Sequence, residues 1–191
     1  ELCGAIALQQ PIAPDDPEAL VECIELAAKD ADLILTCGGV SVGDFDYVKS
    51  TLEKEGQIDF WKVAIKPGKP LAFGTIADVP LLGLPGNPAS SFVTFELFAR
   101  PAILKLAGLQ SQFAPRTTAK LTHSVKLNKT REQFLRATVS QGETSFEITP
   151  TNKQGSGQLS SMVNINALAR IPIGEGLLDA GTAVEAIYLS N

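Results

Sequence analysis

Residues 33–47, LILTCGGVSVGDFDY, decide how the chain is read. Leu33-Ile34-Leu35-Thr36 is a short continuous apolar run, the pattern of a strand buried on both faces, and it stops at the Gly38-Gly39 pair. A strand covered on both faces needs helices on each side, and the flanking sequence supplies them. Upstream, Asp16 is a natural N-cap, Pro17 suits the first helical position, and Leu20, Val21, Ile24, Ala27 and Ala28 recur at helical spacing. This predicts a helix over 17–29. Downstream, the spacing predicts a second helix over 47–55, closed by Gly56 as its C′ residue. Ile58–Ile65, Leu71–Ile76 and Pro80–Leu84 read as three further strands, and Pro88–Leu106 as a long helix kinked at Pro101. Strands alternating with helices predict an α/β domain with a mainly parallel sheet and flanking helices over residues 1–110.

Beyond Gly108 the texture changes. Alternating patterns near 117–127, 133–139, 145–149, 167–171 and 183–189 read as strands, with Gln141-Gly142-Glu143 as a hairpin tip and 152–161 as a polar loop. Residues 111–191 are therefore expected to form a small all-β, barrel-like domain.

Composition removes several function classes. The 191 residues carry 16 Lys plus Arg against 21 Asp plus Glu, a net charge of −5, with the basic residues scattered. Such a chain has no general attraction for nucleic acid or anionic lipid. A hydrophobic content of 45% supports a real core and argues against disorder. Cys3, Cys23 and Cys37 have no metal-ligand spacing and leave one cysteine unpaired in any disulfide scheme, as expected of reduced thiols in a cytoplasmic protein. No signal-peptide pattern opens the chain. Its longest charge-free apolar stretch, Val79–Phe95, is broken by three prolines and Asn87, which argues against a membrane span.

Three segments interrupt the strand and helix pattern with residues suited to chemistry. In the first, Gly38, Gly39 and Gly43 follow a buried strand, where backbone N–H groups can approach an anion, and Ser41 adds a hydroxyl. Asp44 and Asp46 lie just beyond, and carboxylates beside a phosphate-binding turn suit a hard divalent cation such as Mg²⁺. In the second, KVAIKPGKP (62–70), Lys62 and Lys66 are four apart in a segment read as extended, hence on one face, and Lys69 follows a Pro-Gly turn. Three ammonium groups at one strand end would suit a tetrahedral oxyanion. In the third, GLPGNPAS (83–90), Pro85 and Pro88 stiffen a turn in which Gly86 and Asn87 tolerate unusual dihedrals, ahead of a helix start. If the strands run parallel, all three gather at one sheet edge as a site for a polyanion and a metal. His123, the one histidine, has no nucleophile or carboxylate at useful spacing and is read as structural.

GGVSVGDFDY, WKVAIKPGKP and GLPGNPAS, in this order and spacing, resemble the molybdopterin molybdenumtransferase family, which includes the E domain of gephyrin. Asp15-Asp16 ahead of the first helix, FLRATV around Arg136 and QGSGQLSSM (154–162) extend the resemblance over nearly the whole chain. It implies insertion of molybdate into molybdopterin, with the adenylylated pterin as substrate, release of AMP and assistance from Mg²⁺. By the same resemblance Asp15 and Asp46 are expected as metal and acid–base residues, Lys62 and Lys66 as catalytic anion ligands, and Arg136 and Ser156 as substrate contacts from the β domain. Lys69, the GGVSVGD loop and Pro85-Gly86-Asn87 complete the expected substrate site. Family members are homodimers with two upstream domains, and their α/β domain opens with a strand and a Gly-Asp-Glu segment. This chain is accordingly expected to be a C-terminal fragment whose α/β domain lacks that first strand. A molybdopterin adenylyltransferase, which shares the α/β domain, and a non-catalytic dimeric scaffold are the alternatives.

Overall fold

The asparagine-poor turn Ala77-Asp78 sets the topology of the first unit. A computed structural model describes residues 3–14, 16–40, 48, 53–54 and 56–189. In it β4 (Pro70–Ile76) and β5 (Val79–Leu84) pair in antiparallel register, Ile76 opposite Val79, so only two residues join them. Both lie in the left-handed region, Ala77 at φ 47° and Asp78 at φ 63°, the requirement of a type I′ hairpin turn. The four-stranded sheet has the order β1-β5-β4-β2, where β1 is Ile34–Cys37 and β2 is Gly56–Lys62. Only β1 and β5 are parallel; β5–β4 and β4–β2 are antiparallel. The mainly parallel sheet expected from the sequence is thus corrected to a mixed one. A parallel pair needs a crossover of a dozen residues or more, and two residues cannot provide it.

Both faces of this sheet are covered. On one side α1 (Pro17–Ala28) sets Ile24, Leu20, Ala27 and Ala28 against Ile34, Val40, Val48, Ala72, Ile76 and Leu81. Asp16 caps it as expected, its Oδ2 accepting from the Ala19 N–H at 2.8 Å. On the other side Leu71, Leu82 and Leu84 pack against Ala99, Phe95, Phe98 and Ala102 of the C-terminal helical run. Leu81 and Leu82, adjacent in β5, are buried in opposite clusters, which is why the strand reads as a continuous apolar string. Of the helix expected over 47–55, Val48, Glu53 and Lys54 are described, and they are helical.

The kink expected at Pro101 takes a specific form. α2 (Pro88–Thr94) and α3 (Arg100–Leu106) are joined by a π-helical turn over Phe95–Ala99, in which the Arg100 N–H donates to the Phe95 carbonyl. Proline removes one helical N–H and crowds the carbonyl four residues back, here Leu97; a turn widened by one residue relieves that crowding without ending the helix. Glu96 sits half-buried in this turn. Burial pushes its carboxyl above its ordinary value, against the pull of Arg100.

The second unit consists of residues 113–191 together with Ala64–Pro67. Its strands are β3 (Ile65–Lys66), β6 (Arg116–Leu121), β7 (Val125–Lys126), β8 (Glu132–Gln141), β9 (Phe146–Pro150), β10 (Ala167–Ile171), β11 (Leu177–Leu178) and β12 (Ala183–Tyr188). The pairings β10-β12-β6-β9-β8 return to β10, closing a five-stranded barrel. Its core combines five alanines, Ala119, Ala137, Ala167, Ala169 and Ala186, with Leu121, Val125, Val139, Ile148, Ile171 and Val184. The hairpin tip expected at 141–143 is closed by Gly142 N–H donating to the Ser145 carbonyl. The single strand expected over Ile58–Ile65 is instead divided. β2 stops at Lys62, and β3 pairs in parallel with β8 of the barrel, Ile65 opposite Glu132.

Two outcomes test this account. Ala77→Gly relieves a left-handed alanine and is expected to raise stability by about 0.5–1 kcal/mol, read as a higher urea midpoint; an unchanged or lower midpoint would contradict the turn assignment. Glu96 binds its proton more tightly folded than unfolded. Stability should therefore fall as pH rises from the ordinary carboxyl range through the raised folded value. Urea titrations of Glu96→Gln against pH should show that slope flattened.

Candidate active site

β1 and β5 end side by side. Cys37 is opposite Leu84, and the Gly38 N–H donates to the Leu84 carbonyl at 2.9 Å, so the segments leaving the two strands start as neighbours. Gly38 (φ 100°) and Gly39 (φ 66°) adopt dihedrals that L side chains rarely take. A Cβ on Gly86 would lie 3.5 Å from the Gly38 Cα, which measures how closely the two turns approach. Between them is a cavity of about 270 Å³ lined by Gly38, Gly39 and Val40, by Pro85, Gly86 and Asn87, and by Pro70 at the start of β4. The carboxyl ends of parallel strands are where α/β sheets receive ligands.

None of the described lining residues is titratable, and among them the groups open to recognition are the backbone and the Asn87 amide. Asn87 is the N-cap residue of α2, yet its side chain makes no capping hydrogen bond. Near that end Ser91 Oγ donates to the Pro85 carbonyl, and the Ser90 and Ser91 N–H groups donate to the Asn87 carbonyl. The Asn87 side chain is exposed and free to meet a ligand.

The expected site residues are distributed as follows. Gly38, Gly39, Pro85, Gly86 and Asn87 come together around the cavity. Lys62 ends β2 opposite Pro70, and the Val63 N–H donates to the Lys69 carbonyl at 3.1 Å, so Lys62 and Lys69 stand at the same sheet end, both exposed. Lys66 does not share a strand with Lys62. It is exposed on β3, in the barrel unit, because the chain leaves the first sheet after Lys62. Asp15, Ser41, Gly43, Asp44 and Asp46 lie outside the described residues. Among the described residues there is no group of three or more His, Cys, Asp or Glu suited to a metal.

Arg136 is held by side-chain and backbone groups of its own barrel. It is fully buried on β8, its Nε donating to Ser161 Oγ at 3.0 Å and its Nη2 to the carbonyls of Lys153 and Gly155 at 3.2 Å each. Burial pushes its guanidinium below its ordinary value. Ser156, half-buried, follows directly on one of these carbonyls. The barrel has a depression of similar size, about 290 Å³, bordered by Glu132, Arg170 and Glu185. There Arg170 Nε meets Glu132 at 2.7 Å, and Glu185 meets Arg116 at 3.2 Å and Arg170 at 3.6 Å, so its charges already compensate one another. Val40, Pro70, Gln154 and Ser161 complete these arrangements. They stand inside the segments singled out in the sequence, but nothing in their residue type distinguished them from filler.

Residues 3–105 match the family described as "Probable molybdopterin binding domain", and residues 118–189 match "MoeA C-terminal region (domain IV)". The molybdopterin molybdenumtransferase of Haemophilus influenzae is 39% identical over 178 residues, covering 91% of this chain and 43% of that protein. The chain belongs to the molybdopterin molybdenumtransferase family. Gephyrin of Dictyostelium discoideum is 37% identical across 93% of the chain and 28% of its own length. A molybdopterin biosynthesis MoeA protein from Pyrococcus horikosii superimposes with a TM-score of 0.77 at 32% identity, over 94% of this chain and 42% of that one. The chain thus spans less than half the length of these relatives. Among the described residues no helix is long and apolar enough to cross a membrane.

Gly83 provides a test of the site's construction. A Cβ there would fall 2.5 Å from Val40 Cγ1 and 3.2 Å from Ala72 Cβ. Gly83→Ala is expected to destabilise by about 1–3 kcal/mol in urea unfolding, and Val40→Ala in the same chain to recover part of that loss. Strict additivity of the two changes would show that Val40 is not seated on Gly83.

Proposed function

We propose that this chain carries pterin-binding and molybdate-handling parts of a molybdopterin molybdenumtransferase, the activity that inserts molybdate into adenylylated molybdopterin and releases AMP. The observation that supports it is the cavity at the ends of β1 and β5, whose described lining is uncharged, with Lys62 and Lys69 at the same sheet end. The two parts suit the two halves of such a substrate pair. An uncharged heterocycle suits a cavity whose described lining offers backbone groups and one neutral amide, with no desolvated charge among them to be matched. Molybdate, a compact tetrahedral dianion, is held by exposed ammonium groups acting as point charges, and Lys66 joins Lys62 and Lys69 in this role.

Ser41, Gly43 and Asp44 are proposed as further contacts to the substrate, and Ser156 as a hydroxyl contact. Asp15 and Asp46 are the proposed carboxylates for Mg²⁺, which would offset negative charge on the phosphoanhydride. The active species is proposed to be a homodimer.

The test is calorimetric binding of adenylylated molybdopterin and of molybdate, with AMP release in the presence of Mg²⁺, on this chain and on Lys62→Ala, Asn87→Ala and Asp46→Asn. Lys62→Ala should weaken molybdate binding about 10-fold or more with little change for the pterin nucleotide, and Asn87→Ala should do the reverse. Asp46→Asn should suppress AMP release. Failure of the unaltered chain to bind either ligand would remove the basis of this reading. ATP-dependent adenylylation of molybdopterin by the chain would replace it with the adenylyltransferase.

A further inference from the structure

A buried carbonyl and an exposed amide share one peptide unit in the turn Pro85-Gly86-Asn87. Pro85 is buried and Gly86 is exposed, so the peptide that joins them passes from the interior to the cavity wall. Its carbonyl accepts from Ser91 Oγ, in the first turn of α2. That bond is not the one a helical hydroxyl usually makes. Thr94, one turn further on, donates to the Ser90 and Ser91 carbonyls at 2.8 and 3.1 Å, within its own helix, whereas Ser91 reaches six residues back and out of it. The Pro85–Gly86 peptide is trans and planar, so its carbonyl and its N–H point in opposite directions. The Gly86 N–H is thereby turned away from Ser91, and among the described residues it has no acceptor.

Residue 86 does nothing to fix the direction of that peptide. The two common reasons for a glycine are missing there: φ lies outside the left-handed region, and a Cβ would stand 3.5 Å from the Gly38 Cα, an ordinary contact. What glycine does make cheap is rotation of the peptide plane that precedes it. A buried carbonyl without a donor is costly, and rotating the plane toward the cavity would let water take the place of Ser91. The same rotation would put an acceptor on the cavity wall where a donor now stands. The polarity of this wall is therefore set from outside the cavity, since Ser91 is not part of its lining.

We propose that Ser91 is a positioning residue for ligand binding in this cavity: its hydroxyl locks the Pro85–Gly86 peptide so that the Gly86 N–H, and not the Pro85 carbonyl, faces the ligand. The group this N–H serves is a hydrogen-bond acceptor of the uncharged heterocycle, a carbonyl oxygen or a ring nitrogen. This rests on the reading of the cavity as the heterocycle's site, and it adds to that reading the donor atom and the residue that aims it. A donor fixed beforehand lowers the ordering cost of association. A serine that only satisfied a buried carbonyl would affect stability and leave the choice between ligands unchanged.

The test joins a spectroscopic readout of the peptide to a comparison of two ligands. Amide resonances of Gly86 are followed by NMR in the unaltered chain, in Ser91→Ala and in Ser91→Thr, which keeps a hydroxyl, each with and without adenylylated molybdopterin. Calorimetry on the same proteins gives the affinities for adenylylated molybdopterin and for molybdate. The Gly86 amide nitrogen, which senses a hydrogen bond accepted by the carbonyl before it, should shift in ligand-free Ser91→Ala and keep its place in Ser91→Thr. In the unaltered chain the Gly86 amide proton should move downfield when the pterin nucleotide binds. Ser91→Ala should weaken that ligand about fivefold or more and leave molybdate within about twofold, while Ser91→Thr stays near the unaltered chain for both. An unmoved Gly86 nitrogen in Ser91→Ala overturns the proposal. So does pterin-nucleotide binding that leaves the Gly86 amide unchanged, and so does an equal loss of both ligands. If the unaltered chain binds no pterin nucleotide, the reading of the cavity fails, and the ligand-free Gly86 resonance alone decides whether Ser91 holds the peptide. Should Ser91→Ala not fold, Ser91→Cys, close in shape and a weaker donor, decides it by the same shift.

Discussion

The contact of Val40 with Gly83 is the constraint on which the candidate site depends. Val40 Cγ1 occupies the place where a side chain on β5 would begin, and Val40 is buried to 1% exposure. That seat turns the chain leaving β1 back over β5, and it is what allows Gly38 and Gly39 to face Gly86 across a narrow gap. A protein interior packed to crystal density transmits such a displacement with little loss. The absence of one methyl group on a strand thus fixes the separation of two loops that belong to different parts of the sequence.

Much of the first unit was legible because its signals were local. Asp16 capped α1 as read, the run at Leu33 became a strand that closes at Gly38, and the loops at 38–40 and 85–87 did meet. Strand direction was less legible. Ala77-Asp78 has neither the glycine nor the asparagine that marks a tight hairpin, so the antiparallel β4–β5 pair was hidden behind two residues held at positive φ by the register of the strands themselves. Loop length carried the information that residue type concealed.

The lysine cluster shows a second limit. Periodicity placed Lys62 and Lys66 on one face of one strand, but periodicity is meaningful only while the strand continues, and Val63-Ala64 is where it ends. Arg136 shows a third. The resemblance implied a substrate contact for it, and nothing local reveals that three acceptors from a distant segment converge on it. Which groups of its own chain a charged side chain meets is decided by tertiary contacts.

β3 also bears on how such a protein can be divided or recombined. The barrel unit is not a contiguous stretch of sequence: four residues, Ala64–Pro67, come from within the first half, and their pairing with β8 is reinforced by the Glu132 N–H donating to the Ala64 carbonyl at 3.0 Å. A cut near residue 112 therefore removes a strand from the barrel although it falls between the two family matches. Grafting a foreign C-terminal segment onto this chain would likewise require its first long strand to accept Ile65 and Lys66. Inheritance of the barrel as a module is thereby tied to a short sequence that travels with the other unit.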